Sequence, residues 1–189
     1  GVFDAAAGSD LGLLEVVERI VVGGWPGLLG VSVDDAVFVN SAYIDQMCEV
    51  DVSAVSGSAR DPQLIRRVLA SLARNVAPEA SMQQLASDSG GSEGALDRKT
   101  VTGYHAALQR LRIVEDLPAW NTHLRSKAQL LKAPKRLFVD PSWATAGLGG
   151  GVPRLLDDLN YTGFLFESLV IRDLRVYAQA SDGQVFHYR

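Results

Sequence analysis

Leu96 to Trp120 reads LDRKTVTGYHAALQRLRIVEDLPAW, and the reading of this stretch decides the fold. Asp97 is a good helix N-cap, and Val101, Tyr104, Leu108 and Leu111 recur at the three- and four-residue spacing that lines one helical face. The opposite face carries Lys99, Thr102 and Gln109, with Arg98 and Arg110 at its margins, and from Ile113 a short β-like run leads to Pro118. A helix that buries one stripe and shows a basic, amide-bearing face, followed at once by a strand, has the form of the recognition helix and wing of a winged helix-turn-helix. The alternative is an ordinary amphipathic helix with a solvated charged face.

Upstream, Asp61-Pro62 starts a helix whose buried stripe is Leu64, Ile65, Val68, Leu69, Leu72 and Val76, closed by Pro78. Proline at the first helical position loses no needed hydrogen bond. Ser81 and Gln84 have the spacing of a capping box, predicting a short helix to Asp88. The Gly- and Ser-rich residues Ser89 to Ala95 then form a turn longer than that of a compact helix-turn-helix. Downstream, Asn121 to Arg136 holds five cations and no carboxylate, before Leu137-Phe138-Val139 as a second strand. The two strands and the basic loop between them would be the wing. Its cations repel one another unless an anion accounts for them, although a solvated hairpin loop is the other reading.

The N-terminal part reads as a small helical domain. A helix over Leu11 to Val22 is stopped by Gly23-Gly24-Trp25-Pro26-Gly27, a tight turn whose indole packs on adjoining helices. Asp34 or Asp35 caps a further helix to about Glu49, with Val39, Tyr43 and Met47 on one side, and Val52 to Arg60 is a polar connector. At the other end, Asp140-Pro141-Ser142 starts a helical piece. Gly147 to Gly151 is glycine-rich, but no Gly-Lys dipeptide occurs in the chain, so no P-loop is present. Leu155 to Ala178 is mostly helical, with Leu165, Leu169, Val170, Leu174 and Tyr177 for burial. Glu167 among them is either catalytic or paired with a cation such as Arg172 or Arg175. Asp182-Gly183 makes a hairpin-type turn into a strand over Gln184 to Arg189, where a chain cut from something longer would stop.

Composition fits this outline. The chain has 189 residues, 47% of them hydrophobic and 21% charged, as in soluble globular proteins that bury a core. It has no apolar run of the roughly 20 residues a membrane helix needs and no signal-peptide pattern, so a cytoplasmic protein without membrane contact is expected. The single cysteine, Cys48, and three scattered histidines offer no metal-ligand spacing. Neither a metal nor another cofactor is expected. The net charge is −4, yet Leu96 to Arg136 carries nine cations against three carboxylates, a local +6 that leaves −10 for the remainder. Screening confines each charge to about 10 Å in ordinary salt, so a basic segment can bind phosphate on an acidic chain.

These segments also resemble a known family: the C-terminal region, long a domain of unknown function, that follows the nucleotide-binding domain in bacterial and archaeal AAA-type ATPases. The matching residues are Gly23 to Pro26; Tyr43-Ile44-Asp45 with Asp51-Val52-Ser53; Leu72-Ala73-Arg74-Asn75; and Thr100-Val101 with Tyr104 and Leu108. Further on they are Leu117 to Trp120, Lys135-Arg136 through Asp140-Pro141, Gly163 through Glu167 with Val170, and Tyr188-Arg189. Each motif is short; their order and spacing carry the resemblance along nearly the whole chain.

The resemblance implies a mainly α fold with small β elements, an α+β protein. Residues 1–60 would be a helical segment adjoining an ATPase, 61–145 a winged helix, and 146–189 the start of a PD-(D/E)xK nuclease-like domain in which Glu167 looks like the early-helix glutamate. A Walker A would have to precede Gly1, and the metal-binding Glu-x-Lys strand to follow Arg189, so no activity is expected of this chain. The expected function is a non-catalytic DNA-binding segment of an ATPase, acting through Arg98, Lys99, Thr100, Thr102, Gln109, Arg125, Lys127, Lys132, Lys135 and Arg136. The competing expectation is a regulatory module packed on its ATPase domain or on a second subunit. An enzymatic reading would need Glu167 to act with residues from another chain.

Overall fold

Asp61, Ser81, Asp97 and Asp140 each accept a backbone N–H at a helix start, from Gln63 (2.9 Å), Gln84 (3.1 Å), Lys99 and Thr100 (2.9 and 3.1 Å) and Ser142 (2.9 Å). Short polar side chains at these positions satisfy donors that a helix cannot satisfy itself. In the computed structural model, which describes residues 10–57, 59–120 and 133–188, they open α4 (Pro62–Arg74), α5 (Met82–Gly90), α6 (Arg98–Arg110) and α7 (Pro141–Gly147). Before them come α1 (Leu13–Val22), α2 (Val33–Gln46) and α3 (Val52–Ser56); after them α8 (Val152–Asp157) and α9 (Leu159–Gln179). Two strands, β1 (Val114–Leu117) and β2 (Lys135–Phe138), pair antiparallel, with Asp116 opposite Arg136 and Leu117 opposite Lys135. The protein is thus mainly helical with one small antiparallel sheet.

Several local expectations are corrected. Ser32, not Asp34 or Asp35, caps α2 through Asp35 N. The inward side of α2 is Ala36, Asn40 and Ile44, while Val39 and Tyr43 are exposed. Asn40 takes an inward position because its amide donates to Val21 O and Val22 O at the end of α1 (3.2 and 3.3 Å). Val52 to Arg60 is not simply a connector: a π-helical turn over Met47–Asp51 carries α2 into α3, which ends on Gly57 at φ 67°. That turn buries Met47 and Cys48, and burial pushes the Cys48 thiol up to about 11, leaving it an apolar filler and not a nucleophile.

Ser81 and Gln84 make half of a capping box, since the Gln84 amide donates to Asn75 Oδ1 instead of serving the cap. The long turn before α6 is taken up by α5 running to Gly90 and a 3₁₀ turn over Gly91–Glu93. Leu96 N donates to Ala86 O (2.9 Å), and a Cβ on Gly90 would lie 2.7 Å from Ala95 Cα. Glycine at 90 permits this close return.

The stretch from Leu155 to Ala178 is mostly helical, as expected, and is divided between α8 and α9 at Asp158 (φ −124°, ψ 77°), which breaks the run and caps α9 through Tyr161 N. Over Gln184 to Arg189 the described pairing is a single parallel bridge, His187 with Ala119, made by Trp120 N to His187 O and His187 N to Pro118 O.

Helices α4, α5 and α6 pack on one another, and α6 packs on β1. The loop between α4 and α5 reaches the free edge of β2, where Glu79 bridges Lys135 and Ala77 N donates to Arg136 O. Helix α7 joins this unit to α1, α2 and α9. The expected boundaries near residues 60 and 145 separate segments whose buried side chains form one contiguous cluster, from Val17 to Ile171.

Candidate nucleic-acid interface

Helix α6 buries Val101, Tyr104, His105, Ala107 and Leu108 against the core. The same period turns Arg98, Lys99, Thr102, Ala106 and Arg110 fully outward, with Thr100, Gly103 and Gln109 half-buried beside them. Thr102 Oγ1 donates back to Arg98 O (2.8 Å). Among the described residues, the side chains of Arg98, Lys99, Arg110 and the exposed Arg112 have no hydrogen bond or ion pair. The outward face therefore has cations at both ends and small side chains in the middle.

Arg60 adds a cation that the sequence did not reveal. Its guanidinium lies 5.3 Å from the centre of the Tyr104 ring, and its Nη2 comes within 4.0 Å of where a Gly103 Cβ would stand. Nothing local connects residue 60 to 104; the contact arises from α3 packing on α6.

Lys135 and Arg136 do not join this face. Strand alternation turns Arg136 inward, where it is buried, its Nη1 donating to both oxygens of Asp116 (3.0 and 3.1 Å) and its Nε to Ala80 O (3.0 Å). Lys135 points to the other side of the sheet and pairs with Glu167 of α9. Glu167 thus has a structural partner, though not the Arg172 or Arg175 expected. Arg172 binds Asp140 and Asp173, and Arg175 pairs with Glu115 and donates to Asp116 O. Arg125, Lys127 and Lys132 lie outside the described residues.

The inner end of the hairpin is held by a charged cluster. His105 Nε2 lies 3.4 Å from Asp116 Oδ1, an ion-pair distance and not that of a well-formed hydrogen bond. Burial pushes the Asp116 carboxyl up, but His105 and Arg136 together outweigh it and hold the group below the usual carboxylate range. A depressed pKa in the folded state means that this stabilisation is complete above the unfolded value of about 3.9 and is lost as pH falls through the folded one. Asp116→Asn is therefore expected to destabilise at neutral pH and to flatten the acid limb. Urea midpoints between pH 2 and 6 check this, and a variant with an unaltered acid limb would remove Asp116 from the account.

Two apolar surfaces lie elsewhere. Trp143 stacks on both Trp25 (4.3 Å) and Tyr43 (5.1 Å) beside a groove of about 330 Å³ that Leu28 and Val39 complete. The Trp25 indole packs as expected, its Nε1 donating to Ser142 Oγ (3.0 Å). Along α9, Val170, Leu174 and Tyr177 are not buried as expected, with Leu174 47% and Tyr177 68% exposed. Together with Phe166 the first two line a groove of about 470 Å³ closed by Val185 to Tyr188. Among the described residues no group of three or more His, Cys, Asp or Glu could hold a metal, and no helix is long and apolar enough to cross a membrane.

The geometry defines a mainly helical α+β protein whose central helix offers a basic face with no partner among the described residues. Residues 14–154 match a family designated a domain of unknown function, DUF8612, and the chain belongs to that family. The matched region contains α6 and both strands. No curated protein and no solved structure matches the chain.

Proposed function

We propose that this protein is a non-catalytic DNA-binding segment in which α6 enters the major groove as the recognition helix of a winged helix. One observation carries the reading: Arg98, Lys99 and Arg110 stand exposed on one helix face without partners among the described residues. Two of these cations sit at the helix N-terminus, where they oppose the macrodipole at a cost of a few tenths of a kcal/mol each; a nearby phosphate offsets that cost. The winged-helix part of the reading is supported by the order α4, α5, α6, β1, β2 and by Glu79 touching the free edge of β2. Thr102 and Gln109 would face base edges, with Gln109 suited to adenine. A parent AAA-type ATPase and a following nuclease-like domain rest on the sequence resemblance alone.

The test is fluorescence anisotropy of a labelled mixed-sequence duplex titrated with the protein at several salt concentrations. Binding at low salt is expected, with a log K against log salt slope that Lys99→Ala makes shallower by about 0.9. No binding at 50 mM salt, or a slope indifferent to Lys99, would refute the proposal.

A second reading, a protein-interaction module that packs on an ATPase domain or a second subunit, is favoured by the exposed apolar side chains of α9. It predicts assembly that depends on protein concentration, read by sedimentation, and weakened by Leu174→Asp.

A further inference from the structure

Helix α6 ends in a closure that glycine usually completes. Arg112 N donates to Gln109 O (3.1 Å) and Ile113 N to Leu108 O (2.9 Å), the paired bonds of a Schellman motif. The residue between them must adopt the left-handed conformation, and here Arg112 stands at φ 59°. An arginine pays a steric penalty there that glycine does not.

The two backbone bonds offset that penalty, but they would form equally with glycine and so do not account for an arginine there. Arg112 is exposed, and its side chain has no hydrogen bond or ion pair among the described residues. The other two non-glycine residues at positive φ differ in this respect. Ala77 is buried with its N–H given to Arg136 O, and Asp182 is of a type that tolerates this region in turns. Strain retained at an exposed, unpartnered cation points to a ligand that uses the charge.

We propose that Arg112 is a DNA-phosphate-binding residue, gripping the backbone at one rim of the groove that α6 occupies while Arg98 and Lys99 grip the other. The inference rests on the DNA-binding reading of α6 and adds to it a residue and a geometry. Thirteen residues of helix span about 20 Å, so a helix lying obliquely along a major groove about 12 Å wide brings the cations at its two ends to phosphates on opposite rims. The side chains between them at Thr102, Gly103 and Ala106 are small, which lets the helix sit deep.

The experiment compares wild type, Arg112→Gly and Arg112→Lys as full chains, by thermal melting and by duplex binding across salt concentrations. Arg112→Gly is expected to raise Tm by about 2–4 °C, because glycine adopts the left-handed conformation without the steric penalty, while making the salt slope shallower by about 0.9. Arg112→Lys is expected to keep the wild-type slope. Wild-type binding with an unchanged slope in Arg112→Gly overturns the inference and leaves the DNA reading standing. A Tm that does not rise overturns the strain argument and the inference with it. A wild type that binds no duplex at 50 mM salt removes both.

Discussion

Asp140→Ala is expected to destabilise the fold by about 3–5 kcal/mol, the cost of removing one member of a buried ion pair. The Asp140 side chain is almost wholly buried and serves three segments at once. It caps α7 through Ser142 N, accepts Gly24 N at 2.9 Å from the turn after α1, and binds Arg172 Nη1 of α9 at 2.6 Å. The alanine leaves two backbone donors without their acceptor and a half-buried guanidinium with Asp173 alone. Because a domain of this kind has only about 5–15 kcal/mol in total, the variant sits near its unfolding threshold. The glycine turn depends on the same point: at φ 82°, a Cβ on Gly23 would lie 2.5 Å from Ser142 Oγ and 2.7 Å from Asp140 Oδ1. Urea unfolding of Asp140→Ala measures the effect, with Gly23→Ala as the partner variant. A loss under 1 kcal/mol in Asp140→Ala would show that α1, α7 and α9 are not tied at this residue.

The second large effect falls on binding. Replacing Arg98, Lys99 and Arg110 with alanine and Arg112 with glycine removes four unpaired cations from α6 and its C-terminal turn. If each contacts a phosphate, the salt slope becomes shallower by about 3.6 and duplex affinity at 0.1 M salt falls by roughly 10³–10⁴-fold. The fold is expected to hold, because these exposed side chains have no partner among the described residues. Circular dichroism and Tm of the combined variant separate lost binding from lost structure. Full retention of affinity in a folded variant would exclude α6 as the binding element.

What the sequence disclosed was local. Asp61-Pro62, Ser81, Asp97 and Asp140-Pro141 are legible because a cap acts within three residues of itself, and the buried stripe of α4 is legible because it repeats along one helix. The outward face of α6 followed from the same period. What escaped depends on partners distant in sequence. Arg136 looks like a free cation until the strand register sets it opposite Asp116, and Lys135 until α9 brings Glu167 to it. Asn40 turns inward because the carbonyls ending α1 need a donor, which no pattern within α2 shows. Leu174 and Tyr177 read as core residues because spacing reports an apolar stripe and not whether anything covers it. Arg112 was visible as a charge, but its left-handed backbone follows from a closure that sequences usually mark with glycine.

The most direct test of the central claim, that the outward face of α6 is the nucleic-acid surface, is amide chemical-shift mapping on addition of a mixed-sequence duplex. The account predicts the largest shifts at Lys99, Thr102, Ala106, Arg110 and Arg112, with Phe166, Val170 and Leu174 unmoved. Shifts confined to α9, or none at all at low salt, would contradict it.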